Sequence, residues 1–247
     1  MTKHEEIAGV LTEEILSQRF RPGERLPSER DLAARFDANR GAVREAMKLV
    51  AHLGLASIQP GGARVEPIEQ ASLDVIGHML RRTPDPEPSL VIDIFEAINA
   101  LMLIATDRVI RFASEDEIRN IRALLRPLIN DDLDEATDTI ARMEFFRILM
   151  VTSRQIVCQM VAKALFEQLI PTLAHVQPRV RADRTGLREL MQDLDDALLQ
   201  RDRDAARVAI ESLEALNRAV VLAALDPVGD PDAVVTEPTP HVVEVSL

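Results

Sequence analysis

Cysteine is almost missing from this 247-residue chain, with Cys158 the single example. One thiol excludes an internal disulfide and fits a reducing compartment. Its setting, IVCQMV, reads as a buried helix position before it reads as a nucleophile. Long uncharged runs are lacking as well. The most apolar stretch, Ala97 to Ala105, is bracketed by Glu96 and Asp107 and falls short of the roughly 20 apolar residues of a bilayer span. His4, Glu5 and Glu6 occupy the place where a signal peptide would carry its apolar core, so the expectation is a cytoplasmic protein with no membrane partner. Lysine is limited to Lys3, Lys48 and Lys163, and there is no Gly-rich phosphate loop, nucleophile elbow or Ser-x-x-Lys motif. Those absences argue against an enzyme.

What is present is a 47% hydrophobic composition, enough for a substantial core and two domains. The net charge of −12 is unevenly spread. Between Ser17 and Val65 lie nine basic and five acidic residues, a local excess of four positive charges, which leaves −16 for the remainder. Charges beyond a Debye length of about 8 Å are largely screened at physiological salt, so a polyanion would respond to the basic face and not to the distant acid.

Residues 26 to 54 carry the most specific pattern. Ser28 followed by Glu29, Arg30 and Asp31 has capping-box spacing and predicts a helix from Ser28 to about Phe36. Asp37, Ala38 and Asn39 make a turn, and Asn39 caps a second helix that runs to His52 or Leu53, before Gly54. On that helix Arg40, Arg44 and Lys48 recur every four residues along one face, while Val43, Met47 and Val50 share another. One face packs and the other meets phosphate and base edges, with Arg44 able to grip a guanine edge and Gly41 leaving room for close approach. The next segment predicts a hairpin of Leu55 to Gln59 and Ala63 to Glu66, turning at Pro60, Gly61 and Gly62. A hairpin directly after a recognition helix is a wing. The plainer reading, a surface-charged helical hairpin, requires capping, turn, basic stripe and wing to coincide by accident.

The run PGERLPSERDLAARFDANRGAVREAMKLVAHLGLASIQPGGARV resembles the winged helix-turn-helix of the GntR superfamily of bacterial transcription regulators. Carried over by position, the resemblance implies that Arg30 touches the DNA backbone and that Asn39, Arg40, Gly41 and Arg44 form the groove-facing cluster. Gly61, at the wing tip, would approach the minor groove. Many relatives have Thr or Ser where Gly41 and Ala42 stand, a difference that bears on which operator is read.

Ahead of this motif, Ile7, Leu11 and Ile15 mark a support helix from Glu5 to Ser17, with Phe20 and Leu26 completing a small core. Beyond Val65 the pattern is helical, with no good alternating strand and a break at Pro84, Pro86 and Pro88. Helices are expected near 70–82, 89–113, 115–129, 131–152, 154–175, 183–200 and 202–224, with Ser114, Asp131, Thr152 and Asp202 as N-caps. The expected fold class is mainly α: a winged helix-turn-helix over 1–66 and an all-α antiparallel bundle over 67–225, followed by a mobile tail over 226–247. That order of features resembles the FadR subfamily of GntR regulators. The resemblance implies a C-terminal bundle, the FCD-type domain, that binds an effector and forms the homodimer.

Many bundles of that subfamily hold a divalent metal through Asp-x-x-x-His and two later histidines. The corresponding positions here are Met143, Arg147, Met191 and Leu213, and no two of the five histidines share a helix at i, i+3 or i+4. No metal and no cofactor are therefore expected. Leu133, Ala136, Ile140, Met143, Arg147 and Met150 follow spacings of three and four, which puts Arg147 on a buried seam where it must find an anion. The anion is either a bundle carboxylate or the acidic head of an effector, whose tail would lie along Met143, Met191 and Leu213; the alternative is that the side chain snorkels to a bundle end. Fatty-acid-responsive FadR proteins resemble this chain in having Phe-Arg where metal-binding relatives have Phe-His, which implies an organic acid or acyl compound.

The function expected from all this is a dimeric repressor on palindromic double-stranded operator DNA, released by that small molecule. The alternative is a ligand-binding or adaptor bundle for which DNA is only a tether.

Overall fold

The computed structural model describes residues 2–83, 86–130, 133–176, 181–182, 184–225 and 234–235. Contacts divide the chain into two compact units, Met1–Pro86 and Glu87–Leu247.

The first unit is built on α1 (Lys3–Leu16), α2 (Glu29–Arg35), α3 (Arg40–His52), β1 (Ala56–Gln59), β2 (Gly62–Val65) and α4 (Val75–Leu80). The caps form much as the spacing predicts. Ser28 Oγ accepts from the Asp31 N–H at 3.2 Å and donates to Asp31 Oδ2 at 2.6 Å, so the Asp31 carboxylate also orients the capping hydroxyl. Asn39 Oδ1 accepts from the Ala42 N–H at 2.8 Å. Between the two helices Asp37 adopts φ +46°, the left-handed conformation that Asp tolerates in tight turns. β1 and β2 pair antiparallel, with Gln59 opposite Gly62, so Pro60 and Gly61 form a two-residue turn in which Gly61 takes φ +98°.

The core of this unit unites Ile7, Leu11 and Ile15 from α1 with Leu26, Leu32 of α2, Val43, Ala46, Met47 and Val50 of α3, and Ala63 and Val65 of the wing. Phe20 is only half-buried against it. A polar clamp reinforces the contact. Glu14, 7% exposed, accepts two hydrogen bonds from the Arg35 guanidinium at 2.5 and 2.7 Å and one from Arg19 at 2.5 Å, tying α1 to the end of α2.

Residues 67–86 fall with this unit and not with the bundle, unlike the expected boundary at 66. The predicted helix over 70–82 is replaced by one 3₁₀ turn at Ile68–Gln70 and the short α4. The chain is tied back before it can wind further: the Ser72 N–H donates to Leu53 O at 2.9 Å, and Val75 joins the winged-helix core. Gly54, at φ +74°, sits where a Cβ would come within 2.4 Å of Gln70 O, so only glycine permits this approach.

The second unit contains α5 (Pro88–Phe112), α6 (Glu115–Asn130), α7 (Glu135–Thr152), α8 (Ile156–Val176), α9 (Arg184–Gln200) and α10 (Arg203–Leu225). α10 packs on α5 and α9, α9 on α6, and α7 on α6, α5 and α8. Ile94, Ile98, Met102 and Val109 of α5 face Ile210, Leu213 and Val220 among the buried residues of α10, and Leu187, Met191, Leu194 and Leu198 supply the buried face of α9. Arg122 of α6 forks onto Asp195 of α9 at 2.8 and 2.7 Å. Arg201, between α9 and α10, donates to Ile110 O and Ala113 O and so caps the carbonyl end of α5.

Several expectations need correction. Asp134, not Asp131, caps α7, its Oδ1 accepting from the Thr137 N–H at 3.0 Å; Asp131 lies outside the described residues. Thr152 ends α7 instead of starting α8, because Arg154 turns the chain at φ +57°. A short parallel pair of strands, β3 (Arg181–Ala182) and β4 (Val234–Val235), joins a stretch expected to be strand-free to the segment expected as a mobile tail. The rest of 226–247 lies outside the described residues. Finally, α5 is by length and composition the one helix among the described residues able to cross a bilayer, since an 18-residue window of it holds no more than two charges. Here its apolar face is spent on α10, α7 and α8.

Candidate nucleic-acid interface and bundle cavity

On the first unit, Arg30, Asn39, Arg40, Gly41, Arg44 and Lys48 are all exposed, as is Gly61 at the wing tip. The helical spacing therefore delivers the basic stripe to the surface while Val43, Met47 and Val50 hold the opposite face in the core. Arg44 is not free. Its Nε donates to Glu29 Oε1 at 3.0 Å and its Nη2 to Glu29 Oε2 at 2.9 Å. Those hydrogen bonds hold the Glu29 carboxyl below its ordinary pKa, despite a small opposing effect of desolvation. A carboxylate gripping the Nε–Nη2 edge leaves the end-on Nη1–Nη2 edge of the guanidinium for a base, and fixes its direction. Lys48 pairs more loosely, with Glu45 at 2.9 Å, and Arg30 with Asp31 at 3.6 Å.

Gly41 has a second local reason. A Cβ there would lie 3.1 Å from Asn39 Oδ1, crowding the cap of α3. Asn39 thus uses its oxygen internally and keeps only its amide for a partner.

The second unit encloses a cavity of about 380 Å³ between α5, α7, α8, α9 and α10. Three of the chain's seven phenylalanines, Phe95, Phe146 and Phe166, line it together with Ile98, Met102, Met143 and Leu213. Its polar lining is Asn99, Asp138, Thr139, Arg142, Arg184, Glu214 and Asn217. Arg142 has a side chain 12% exposed; its Nε lies 2.9 Å from Asp138 Oδ2 and its Nη1 donates to Asn217 Oδ1 at 2.9 Å. Burial pushes the Glu214 carboxyl above its ordinary pKa, with Arg218 opposing and Glu96 adding to the rise. Six buried side-chain polar atoms among the described residues lack a hydrogen bond, and four of them belong to this lining: Asn99 Oδ1, Thr139 Oγ1, Arg142 Nε and Glu214 Oε1. Such atoms are costly unless a ligand or water meets them.

Arg147 is not on the buried seam. It is exposed, its guanidinium forked onto Glu144 one turn earlier at 2.7 and 2.6 Å. Ile140, from the same predicted stripe, is 69% exposed. Apolar residues occur all round α7, so their spacing does not fix its rotation, and the Asp138–Arg142 pair, one turn apart, neutralises itself and can turn inward. The α7 residues that line the cavity are Asp138, Thr139, Arg142, Met143 and Phe146. Met143 and Leu213 line the cavity, whereas Met191 is fully buried in α9 and is not part of its lining. No group of three or more His, Cys, Asp or Glu side chains among the described residues is arranged to hold a metal ion.

Residues 3–65 match the family described as bacterial regulatory proteins, gntR family. The winged helix is that of the gntR family. The likeness extends over both units: the HTH-type transcriptional regulator Mce2R of Mycobacterium tuberculosis is 27% identical over 90% of this chain and 92% of its own length. The HTH-type transcriptional repressor NanR of Citrobacter rodentium is 27% identical, over 82% of this chain and 78% of its own. Among solved structures, Lar of Listeria monocytogenes superposes with a TM-score of 0.55 at 18% identity, covering 90% of this chain and 97% of its own, a likeness of fold. Residues 3–65 thus carry a gntR-type winged helix, and the likeness over both units is to proteins named as HTH-type transcriptional regulators.

One basic residue of this gntR domain escapes sequence reasoning. Arg25 bridges to Arg64 of the wing, and its Nη2 lies 3.2 Å from the point where a Cβ on Gly61 would stand, so it adds positive charge to the wing tip. The charge tally over 17–65 includes it, but only the wing's return toward residues 23–26 brings it there. Arg142 was missed for the reason given above.

Proposed function

We propose that this regulator is an effector-responsive repressor that binds a palindromic operator as a homodimer in the cytoplasm. In this reading Arg40, Arg44 and the Asn39 amide face the major groove, Arg30 and Lys48 meet phosphates, and Gly61 with Arg25 enters the minor groove. One winged helix reads only a few base pairs, so two copies related by a two-fold axis are needed for useful specificity. An exposed apolar stripe supports self-association: Ile156, Val157 and Met160 of α8 are each more than 60% open to solvent. That a relative is named a repressor favours repression over activation.

The observation that carries the sensing role is the cavity, where unpartnered buried polar atoms concentrate. Its volume falls at the lower end of the range for small-molecule sites, about 300–1,000 Å³. Effector binding there shifts the population between DNA-competent and DNA-incompetent forms. The acidic or acyl head expected from a buried Arg147 loses its anchor, because Arg147 is exposed and satisfied by Glu144.

The test is selection of an operator from random duplexes, followed by sedimentation and anisotropy. The reading requires a sequence-selective site with two inverted half-sites bound by two chains. Binding with no sequence preference would instead favour a DNA-tethered adaptor.

A further inference from the structure

The cavity's polar groups are unevenly satisfied, and the imbalance has a sign. Both arginines that line it are already engaged: Arg142 by Asp138 and Asn217, and Arg184 by an interaction of its own. Of the four groups left over, two are acceptors only. Glu214 Oε1 is buried without a hydrogen bond, 3.3 Å from Arg218 Nε but misaligned with it, and Asn99 Oδ1 has no donor. Thr139 Oγ1 can serve either way, and Arg142 Nε is the one orphan donor, already beside the Asp138 carboxylate. An entering carboxylate would find no uncommitted arginine to receive it and would bring a third acidic group beside Asp138 and Glu214 in a poorly solvated site.

Resting on the reading of this cavity as the effector site, we infer that its ligand is an aryl or alkyl compound with an amine or hydroxyl head. The head donates to Glu214 Oε1 and Asn99 Oδ1, and the apolar body lies among Phe95, Phe146, Phe166 and Leu213. An ammonium or a hydroxyl supplies the donor that Glu214 Oε1 lacks, and a hydroxyl can also accept from Arg142 Nε. The aromatic walls suit a ring, since phenyl groups pack favourably on one another by face and edge, as Phe146 and Phe166 already do at 6.1 Å.

The test uses the full chain and three probes that differ only in the head: 4-phenylbutylamine, 4-phenylbutan-1-ol and 4-phenylbutyrate, titrated by calorimetry. The amine should bind at least tenfold more tightly than the carboxylate, with the alcohol between them. Glu214→Gln should bring amine and alcohol to within about threefold of each other. The ranking on the unaltered chain needs no variant, so a misfolded Glu214→Gln protein does not remove the test. Carboxylate binding as tight as the amine, no binding of any probe up to about millimolar concentration, or an amine preference undiminished in folded Glu214→Gln would each overturn the inference. The expected ranking with operator affinity unmoved by saturating amine would uphold the ligand class while refuting the regulatory role of the cavity.

Discussion

Replacing Arg44 by alanine separates the stability role of its contacts from their role on DNA. In the free protein Arg44 and Glu29 form an exposed bidentate pair, with side chains 60% and 40% open to solvent. Exposed pairs contribute little, and the Glu29 carboxylate left behind can be hydrated, so Arg44→Ala should leave folding stability nearly unchanged. On DNA the loss is larger. The end-on edge of the guanidinium is aimed by Glu29 before binding, and a bidentate contact to guanine provides about 1–3 kcal/mol of discrimination, or roughly 5- to 150-fold in affinity. Arg44→Ala carries a second penalty, because it exposes the Glu29 charge to nearby phosphates with nothing to neutralise it. The double variant Glu29→Gln/Arg44→Ala should therefore bind operator more tightly than Arg44→Ala alone.

Glu29→Gln alone should weaken discrimination between operator and random duplex while preserving or raising total affinity at low salt, since the arginine loses its guide and the surface loses a negative charge. Fluorescence anisotropy on selected operator and scrambled duplex, at two salt concentrations, measures these differences, and circular dichroism melting reports folding. Specific affinity unchanged in folded Arg44→Ala would remove Arg44 from the groove. A double variant no tighter than the single one would mean that Glu29 is not a guide of the arginine at the DNA surface.

The two units differ in how far their sequence discloses them. In the winged helix each local signal and each tertiary demand agree: Ser28 and Asn39 cap, Gly54 and Gly61 supply positive φ, and Val43, Met47 and Val50 define a single buried face. Polar and apolar positions are cleanly segregated there, so spacing alone orients Arg40, Arg44 and Lys48. On α7 this segregation fails. Phe145, Leu149 and Met150 are buried, while Ile140 and Val151 stand in solvent and Arg142 turns inward. A residue expected at a buried position, Arg147, and the one that occupies such a position, Arg142, are five apart, an angular error that periodicity could not detect on a helix apolar on most sides. Arg142 can be buried only because Asp138 and Asn217 await it, the former one turn away and the latter on α10, a partner 75 residues distant. Likewise the segment after Val65 has helical composition, but the return of Ser72 to Leu53 O, a tertiary hydrogen bond, stops a long helix from forming.

The remaining predictions concern Arg147, metal content and Glu14. Arg147→Met should leave the melting temperature within about 2 °C and the response to any effector intact, because the pair it breaks is an exposed one on a single helix turn; loss of the response would restore Arg147 to the site. Elemental analysis of purified protein should find no stoichiometric zinc, nickel or manganese, and a chelator should not lower the melting temperature; one tightly held ion per chain would overturn the expectation drawn from Met143, Arg147, Met191 and Leu213. Glu14→Gln should destabilise the winged-helix unit by about 1–3 kcal/mol at neutral pH, since Arg35 and Arg19 lose their shared acceptor. The pH dependence follows from the sign of its shift: hydrogen bonds from Arg35 hold the Glu14 carboxyl below its ordinary value, against a smaller opposing effect of burial. A depressed folded-state pKa gives stability that is fully present above the unfolded carboxyl pKa and is lost as pH falls through the lower folded one. The gap between wild type and Glu14→Gln, followed by denaturant unfolding from pH 7 downward, should hold steady to about pH 5 and then narrow steadily as the medium becomes more acidic. A gap that stays constant to pH 3 would mean that Glu14 contributes through shape and packing and not through its charge.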